Sequence, residues 1–288
     1  MEKWQETKKQ HYVPSCYLAN FGIDGNKGRN STIYFQMFSN SSPLMRPRVS
    51  SIDKFPVENN FYDIPELGEK KKIIEDFFAK LEGEYAALLK KTIEYVNKRG
   101  NNISVLTHED KKSLVGQFAM QIVRTPFQRN YYEHIYQTIA NELPCKNFPK
   151  LNKEDFSQIH IRELLSFKMA NFYVNLLNDR NWVFLVNHTE QPFFTSDNPA
   201  IFINYSSNQS EALSPASDQM TFFIPLSPTV AVELYSKNLV TKSEMFFDIW
   251  KNQNIQWYNM NLKENCTRFM ISNQSDFSYI KGSDERYE

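Results

Sequence analysis

The spacing of apolar residues changes character twice along the chain, and that change limits the folds open to it. Up to Pro65 the pattern is a short apolar segment, Tyr12–Phe21, a strand-like Thr32–Phe38 and a turn-rich stretch ending in Phe61-Tyr-Asp-Ile-Pro65. From Glu69 to Arg99, Ile74, Phe78, Leu81, Tyr85, Leu88 and Thr92 recur at steps of three and four, the stripe of a long amphipathic helix. Thr107-His-Glu-Asp110 has the form of a capping box and opens a second helix to Arg124, which Pro126 stops. Further helices are expected over 128–143 and 153–179. The runs 182–186, 193–195, 200–204, 221–225 and 230–235 then read as strands, followed by a helix over 243–262 and a closing strand over 268–272. The expected fold is α+β: a mainly antiparallel sheet from both ends of the chain, packed on a central layer of long helices. It is expected as a single domain over 1–288, with a β-rich entry (1–65), a helical centre (69–181) and a β-rich C-terminal half (182–288).

Several function classes fall away on simple counts. The chain has 8 glycines in 288 residues, and none is arranged as a phosphate-cradling G-x-x-x-x-G-K-[ST] or G-x-G-x-x-G, so no nucleotide cofactor is expected. With 33 basic and 33 acidic residues, the chain lacks the charge excess of a protein that coats nucleic acid. Cys16, Cys145 and Cys266 are odd in number and show no C-x-x-C, which suits a reducing cytosol. The five histidines show no paired zinc spacing. Apolar runs are far below spanning length, and the N-terminus has no apolar signal core. The expectation is a soluble cytoplasmic protein with no membrane partner.

Residues able to carry chemistry fall in five places. Glu75 and Glu82, seven apart on the long helix, project within about 20° of each other and could serve a divalent ion or an arginine, or merely edge the helix. Gln117, Gln121 and Arg124 form one polar row in an otherwise apolar helix; a buried guanidinium there needs a carboxylate such as Glu75 or Glu82, or an anionic substrate. Ser196, Asp197 and Asn198 follow a strand and precede Pro199, a place for either an Asx-turn or a presented carboxylate. His11 beside Pro14 is a candidate general base or, on its residue type alone, an ordinary surface or core-packing histidine. Arg129-Asn-Tyr-Tyr-Glu-His134 matches the R-N-x-x-x-H pattern of the HEPN ribonuclease superfamily, although the two side chains would lie about 140° apart on a regular helix.

The order of these fragments resembles a largely bacterial family, the domain-of-unknown-function family 4238. The resemblance rests on His11-Tyr-Val-Pro with Tyr17-Leu-Ala-Asn-Phe21, Phe61-Tyr62, the Glu75 and Glu82 helix, Gln121-Ile-Val-Arg124-Thr-Pro126, Phe194-Thr-Ser-Asp-Asn-Pro199 and Pro225-Leu-Ser-Pro228. It spans nearly the whole chain and raises the weight of His11, Glu75, Glu82, Gln121, Arg124 and Asp197; the family supplies no catalytic roles. The expected function is a metal-assisted phosphodiesterase or nuclease-like effector acting on a nucleic acid or another phosphate-containing substrate. Glu75, Glu82 and Asp197 would hold Mg²⁺ or Mn²⁺, His11 would be the base, Arg124 would hold phosphate, and Gln121, Ser196 and Asn198 would support them. The family's bacterial distribution suggests defence against phage. The alternatives are a non-enzymatic sensor or scaffold that binds a small anionic ligand or a protein partner, and a HEPN-like ribonuclease using Arg129 and His134. Oligomeric state is not legible.

Overall fold

The computed structural model describes residues 9–38, 46–64, 68, 73–99, 105–142, 149–206 and 213–280. Seven helices appear among them: α1 (Ser15–Leu18), α2 (Ile73–Asn97), α3 (His108–Val123), α4 (Pro126–Glu142), α5 (Lys153–Ser166), α6 (Lys168–Asn178) and α7 (Asn252–Asn265). The first strand, β1 (Lys9–His11), pairs antiparallel with β4 (Val57–Asn59). A four-stranded antiparallel sheet runs in the order β3 (Arg48–Ser51), β2 (Thr32–Met37), β11 (Phe269–Ser272) and β6 (Thr195–Ser196). A five-stranded sheet has the order β10 (Glu244–Ile249), β5 (Arg180–Asn187), β9 (Val230–Ser236), β8 (Met220–Ser227) and β7 (Ile201–Asn204). The fold is thus α+β, and strands from both ends of the chain meet where Tyr34 lies opposite Ser272. The pairing of β10 with β5 is parallel, and the other pairings of these sheets are antiparallel.

The five-stranded sheet is apolar on both faces, because each face carries its own core. Trp182, Phe184, Phe222, Ile224, Val232 and Leu234 belong to the core shared with α2, α3 and α6, where Phe118 stacks on Phe222 at 5.4 Å. Their sequence neighbours Val183, Leu185, Phe223 and Ala231 belong to a second core with Ile255, Tyr258 and Leu262 of α7. Strict alternation of side chains in a strand sends successive residues to opposite faces, so burial on both sides produces the near-continuous apolar runs of the sequence. Each large side chain removed from water in this way contributes about 1.5–3 kcal/mol.

Local signals set the helix ends. The Thr107 hydroxyl accepts from the Asp110 N–H at 3.1 Å, while an Asp110 carboxylate oxygen accepts from the Thr107 N–H at 2.7 Å, completing the capping box of α3. The break expected at Pro126 follows the end of α3, and Pro126 is itself the first residue of α4, since a proline at the first helical position lacks only an N–H that would have no partner inside the helix. The expected helix over 153–179 is two helices, α5 and α6, divided where Phe167 takes a left-handed conformation with φ 54°. The expected helix over 243–262 is likewise corrected. Its first residues form β10, registered on β5 from Glu244 opposite Trp182 to Ile249 opposite Asn187, and α7 starts only at Asn252. A sheet edge at β5 captured an apolar run that periodicity alone assigns to either state. The expected starts at Glu69 and ends at Leu143 lie outside the described residues. No helix among the described residues is long and apolar enough to cross a membrane.

His160 of α5 is fully buried and donates from Nε2 to the Val123 carbonyl at 2.8 Å, tying α5 to the end of α3. Burial lowers its pKa from 6.5 to about 4, against the opposing pull of that carbonyl. The folded chain therefore holds His160 neutral where the unfolded chain protonates it, so stability is present above pH 6.5 and is lost as pH falls toward 4. Urea unfolding at pH 7 and pH 4 should show an acid loss of roughly 3 kcal/mol from this residue. His160→Leu should flatten that loss while lowering stability at pH 7 by about 1–3 kcal/mol, as the Val123 carbonyl loses its donor.

Candidate functional site

Arg124 ends α3 with only 4% of its side chain exposed and collects contacts from three other parts of the chain. One terminal nitrogen donates to the His11 carbonyl at 2.8 Å and to Glu82 Oε1 at 2.9 Å. The guanidinium lies over the Phe78 ring at 4.0 Å, and the Tyr62 hydroxyl donates to the Arg124 carbonyl at 2.7 Å. The rest of the polar row also addresses backbone: Gln121 donates to the Tyr12 carbonyl at 3.2 Å and Gln117 to the Leu81 carbonyl at 3.3 Å. The spacing of four and three residues puts these donors on one face of α3, where they hold the segment after β1 and the middle of α2.

These contacts form the wall of an open cleft of about 710 Å³. His11, Glu75, Glu82 and Arg124 all line it, together with Tyr62 and Phe78. Lys9, Arg29 and Asp53 also line it, so that among the described residues three cations face three carboxylates. His11 Nε2 lies 3.0 Å from the Ile52 carbonyl, which can only accept; Nε2 therefore carries the proton and Nδ1 keeps its lone pair. Burial lowers the His11 pKa below 6.5, opposed by the Ile52 carbonyl and the nearby Glu82, and Arg124 acts in the same direction as burial. The imidazole is neutral at pH 7.

Glu75 accepts from Gln10 Nε2 at 3.0 Å, and the same amide group donates to Asp63 and accepts from the Tyr62 N–H at 2.6 Å. Gln10, Tyr62 and Asp63 were not singled out from the sequence as site residues. The available signal was Gln10, a polar residue at the inward position of a short strand beside His11.

Asp197 is not among the residues lining this cleft. It is fully buried, and its two carboxylate oxygens accept from the Thr267 N–H at 2.8 Å and the Arg268 N–H at 2.7 Å. Burial raises its pKa to about 6 in spite of those two bonds and the charge of Arg268. Ser196 accepts from the Asn198 N–H at 3.0 Å; Asn198 in turn accepts from the Thr125 hydroxyl at 3.3 Å and donates to the Asn265 carbonyl at 3.0 Å. This segment fastens the end of α3 to the end of α7. Glu75, Glu82 and Asp197 are consequently not gathered as a ligand set, and no group of three or more His, Cys, Asp or Glu side chains among the described residues could hold a metal ion.

Arg129 donates to the Phe61 carbonyl at 2.9 Å, pairs with Glu58 at 3.3 Å and lies over the Phe61 ring at 3.8 Å. It lines a separate cleft with Asp63 and Glu133, whereas His134 is exposed and is not among that cleft's residues.

The fold and this geometry define an α+β protein whose polar cleft is walled by the first strand and by two of the central helices. The profile of the family described as "Protein of unknown function (DUF4238)" matches residues 9–276, and the chain belongs to that family. Comparison with curated proteins and with solved structures gives no match.

Three variants measure the interactions described. Arg124→Met should destabilise the chain by roughly 3 kcal/mol in urea unfolding, because Glu82 and the His11 carbonyl lose a charged donor. Glu82→Gln should lower stability less, since Glu82 is 23% exposed and water can replace part of the pair. A cycle of both changes with no coupling would show that the pair adds nothing. Asp197→Asn brings an amide NH₂ against one of two backbone donors, and should lower stability by about 1–3 kcal/mol at pH 8; an unchanged unfolding midpoint would contradict the two-amide arrangement.

Proposed function

We propose that the chain is a hydrolase of phosphodiester bonds that works from the His11 cleft. The observation that supports this reading is the fixed His11 tautomer: a neutral imidazole at the wall of an open polar cleft, its Nε2–H committed to the Ile52 carbonyl and its Nδ1 left basic. In this reading Nδ1 takes the proton from an attacking water or hydroxyl as the bond to phosphorus forms; the P–O bond to the leaving oxygen breaks, and that oxygen takes its proton from solvent. Exposed Lys9 and Arg29 hold the phosphate oxygens. Arg124 is a positioning residue, since it grips the backbone carbonyl of His11 rather than standing open to a ligand. Gln121 does the same one residue further on. Glu75, Glu82 and Asp197, expected as ligands of Mg²⁺ or Mn²⁺, do not come together as a set, Asp197 lying outside the cleft.

A second reading, recognition of an anionic ligand without turnover, draws support from the closed Arg124–Glu82 pair. The two separate in one assay. Purified protein is incubated with bis(p-nitrophenyl) phosphate and with fluorogenic single-stranded RNA and DNA, each with EDTA and with added Mg²⁺ or Mn²⁺. The expected result is cleavage that His11→Gln reduces by about 100-fold or more, in the range usual for loss of a general base. Activity should fall as pH drops through the lowered His11 pKa, below 6.5, and stay level above it, because only the deprotonated imidazole serves as a base. Cleavage equal in wild type and His11→Gln overturns the base assignment, and saturable phosphate binding without product favours the second reading.

A further inference from the structure

On the opposite face of the five-stranded sheet from the helical core, β9 carries Glu233 where its neighbours on that face are apolar. Its cross-strand partners are Val183 and Phe223, both members of the α7 core. The residue is 1% exposed. The Tyr205 hydroxyl donates to one carboxylate oxygen at 2.7 Å and the Tyr235 hydroxyl to the other at 3.0 Å, with Tyr258 as a third hydrogen-bonding neighbour. Among the described residues no cationic side chain forms an ion pair with it. A buried carboxylate satisfied only by neutral donors is unfavourable, and burial accordingly raises its pKa to about 7 against the pull of the three tyrosines.

Glu233 is one of the residues lining a cavity of about 460 Å³. The cavity is lined by Tyr205, Tyr235, Trp257 and Tyr258, whose rings form a continuous chain. Tyr205 lies 5.8 Å from Tyr235 and 5.3 Å from Trp257, and Trp257 lies 5.0 Å from Tyr258. These rings come from three places, the end of β7, β9 and α7, so the group is assembled by the tertiary fold. The remaining walls are the apolar Val183, Leu185, Val240, Met245 and Phe247, with Asn254 adding one amide.

We propose that this cavity binds an alkylated organic ammonium group, with Glu233 as the counter-charge and the Tyr205, Tyr235, Trp257 and Tyr258 rings as the surrounding cage. The chemistry selects this class over the neighbouring ones. A hard metal cation favours several charged oxygen ligands, and among the described residues no group of three or more His, Cys, Asp or Glu side chains could hold one. A primary ammonium must keep three donors bonded and would compete for Glu233 oxygens that already accept from the Tyr205 and Tyr235 hydroxyls. A methylated ammonium has none to satisfy, spreads its charge over its methyl groups, and is attracted both to aromatic faces and to an anion. The site lies on different elements from the His11 cleft, and its occupation does not depend on the hydrolase reading.

The test is titration calorimetry of the full chain with tetramethylammonium, choline and N-acetyl-trimethyllysine amide, each beside the uncharged carbon isostere of choline, 3,3-dimethylbutan-1-ol. At least one cation should bind about tenfold or more tightly than the isostere. Preference for choline identifies a free small molecule as the natural source, and preference for the lysine derivative identifies a modified side chain. Glu233→Gln should weaken the cation about tenfold or more and leave the alcohol unchanged. Trp257→Leu, at a half-buried position on α7, should weaken the cation by several-fold while circular dichroism and the melting temperature show a folded chain. Tyr235→Phe, which keeps the ring and removes one hydroxyl, should retain binding. The proposal is overturned if no cation binds with a Kd below about 10 mM, if the isostere binds equally well, or if a folded Trp257→Leu variant binds as wild type does.

Discussion

A guanidinium cannot shed its charge, so a fold that buries one must supply acceptors and keep them in place. Arg124 sets that condition here. Its acceptors are a carboxylate on α2 and the backbone carbonyl of His11, and its aromatic neighbour Phe78 comes from α2 as well. The first strand, the longest helix and the end of α3 are therefore fixed relative to one another by one side chain. Gln121 and Gln117 extend the same arrangement toward the start of the helix, each aimed at a backbone carbonyl of another segment. The polar row recognises the protein's own backbone, and the cleft beside it takes its shape from that recognition.

The degree to which the sequence anticipated this differs from element to element. The stripe of α2 was legible because Ile74, Phe78 and Tyr85 face one core and their burial imposes a helical period. The strands β5, β8 and β9 were legible as apolar runs, but not the fact that their alternate residues serve two cores, which requires knowing what covers each face. β10 was illegible for a different reason: Glu244-Met-Phe-Phe-Asp-Ile249 has no preference strong enough to resist a vacant sheet edge, and the edge is made by a strand about 60 residues earlier. The break at Phe167 has no glycine or proline to announce it. For the cleft, the sequence indicated that Arg124 needed a partner on α2 and offered Glu82 as one choice. It could not show that the Asp197 carboxylate would be taken by two amides from a loop 70 residues later, because a backbone donor leaves no mark in the sequence.

The motif segments by which the family is recognised prove to be bonded to one another. The Tyr17 hydroxyl donates to the Pro225 carbonyl at 2.7 Å and, with its own proton committed, accepts from the Thr195 hydroxyl at 2.8 Å. Asn198 joins Thr125, next to Arg124, to the end of α7. A shared motif here marks a shared set of joints between distant parts of the chain, and carries information about architecture before it carries any about chemistry.

Those joints bear on how the protein comes into being. Tyr17 meets its partner Pro225 across 208 residues, and β2 lies between β3 and β11, the last strand described. A chain emerging from the ribosome must hold Tyr12, Tyr17, Phe21 and Ile33, all buried in the folded molecule, without their full set of neighbours until Pro225 and the β11 strand have been made. Topologies dominated by such distant pairings fold slowly and leave aromatic surface open to other chains meanwhile. The closure that makes the finished molecule coherent therefore makes its synthesis the stage most exposed to aggregation.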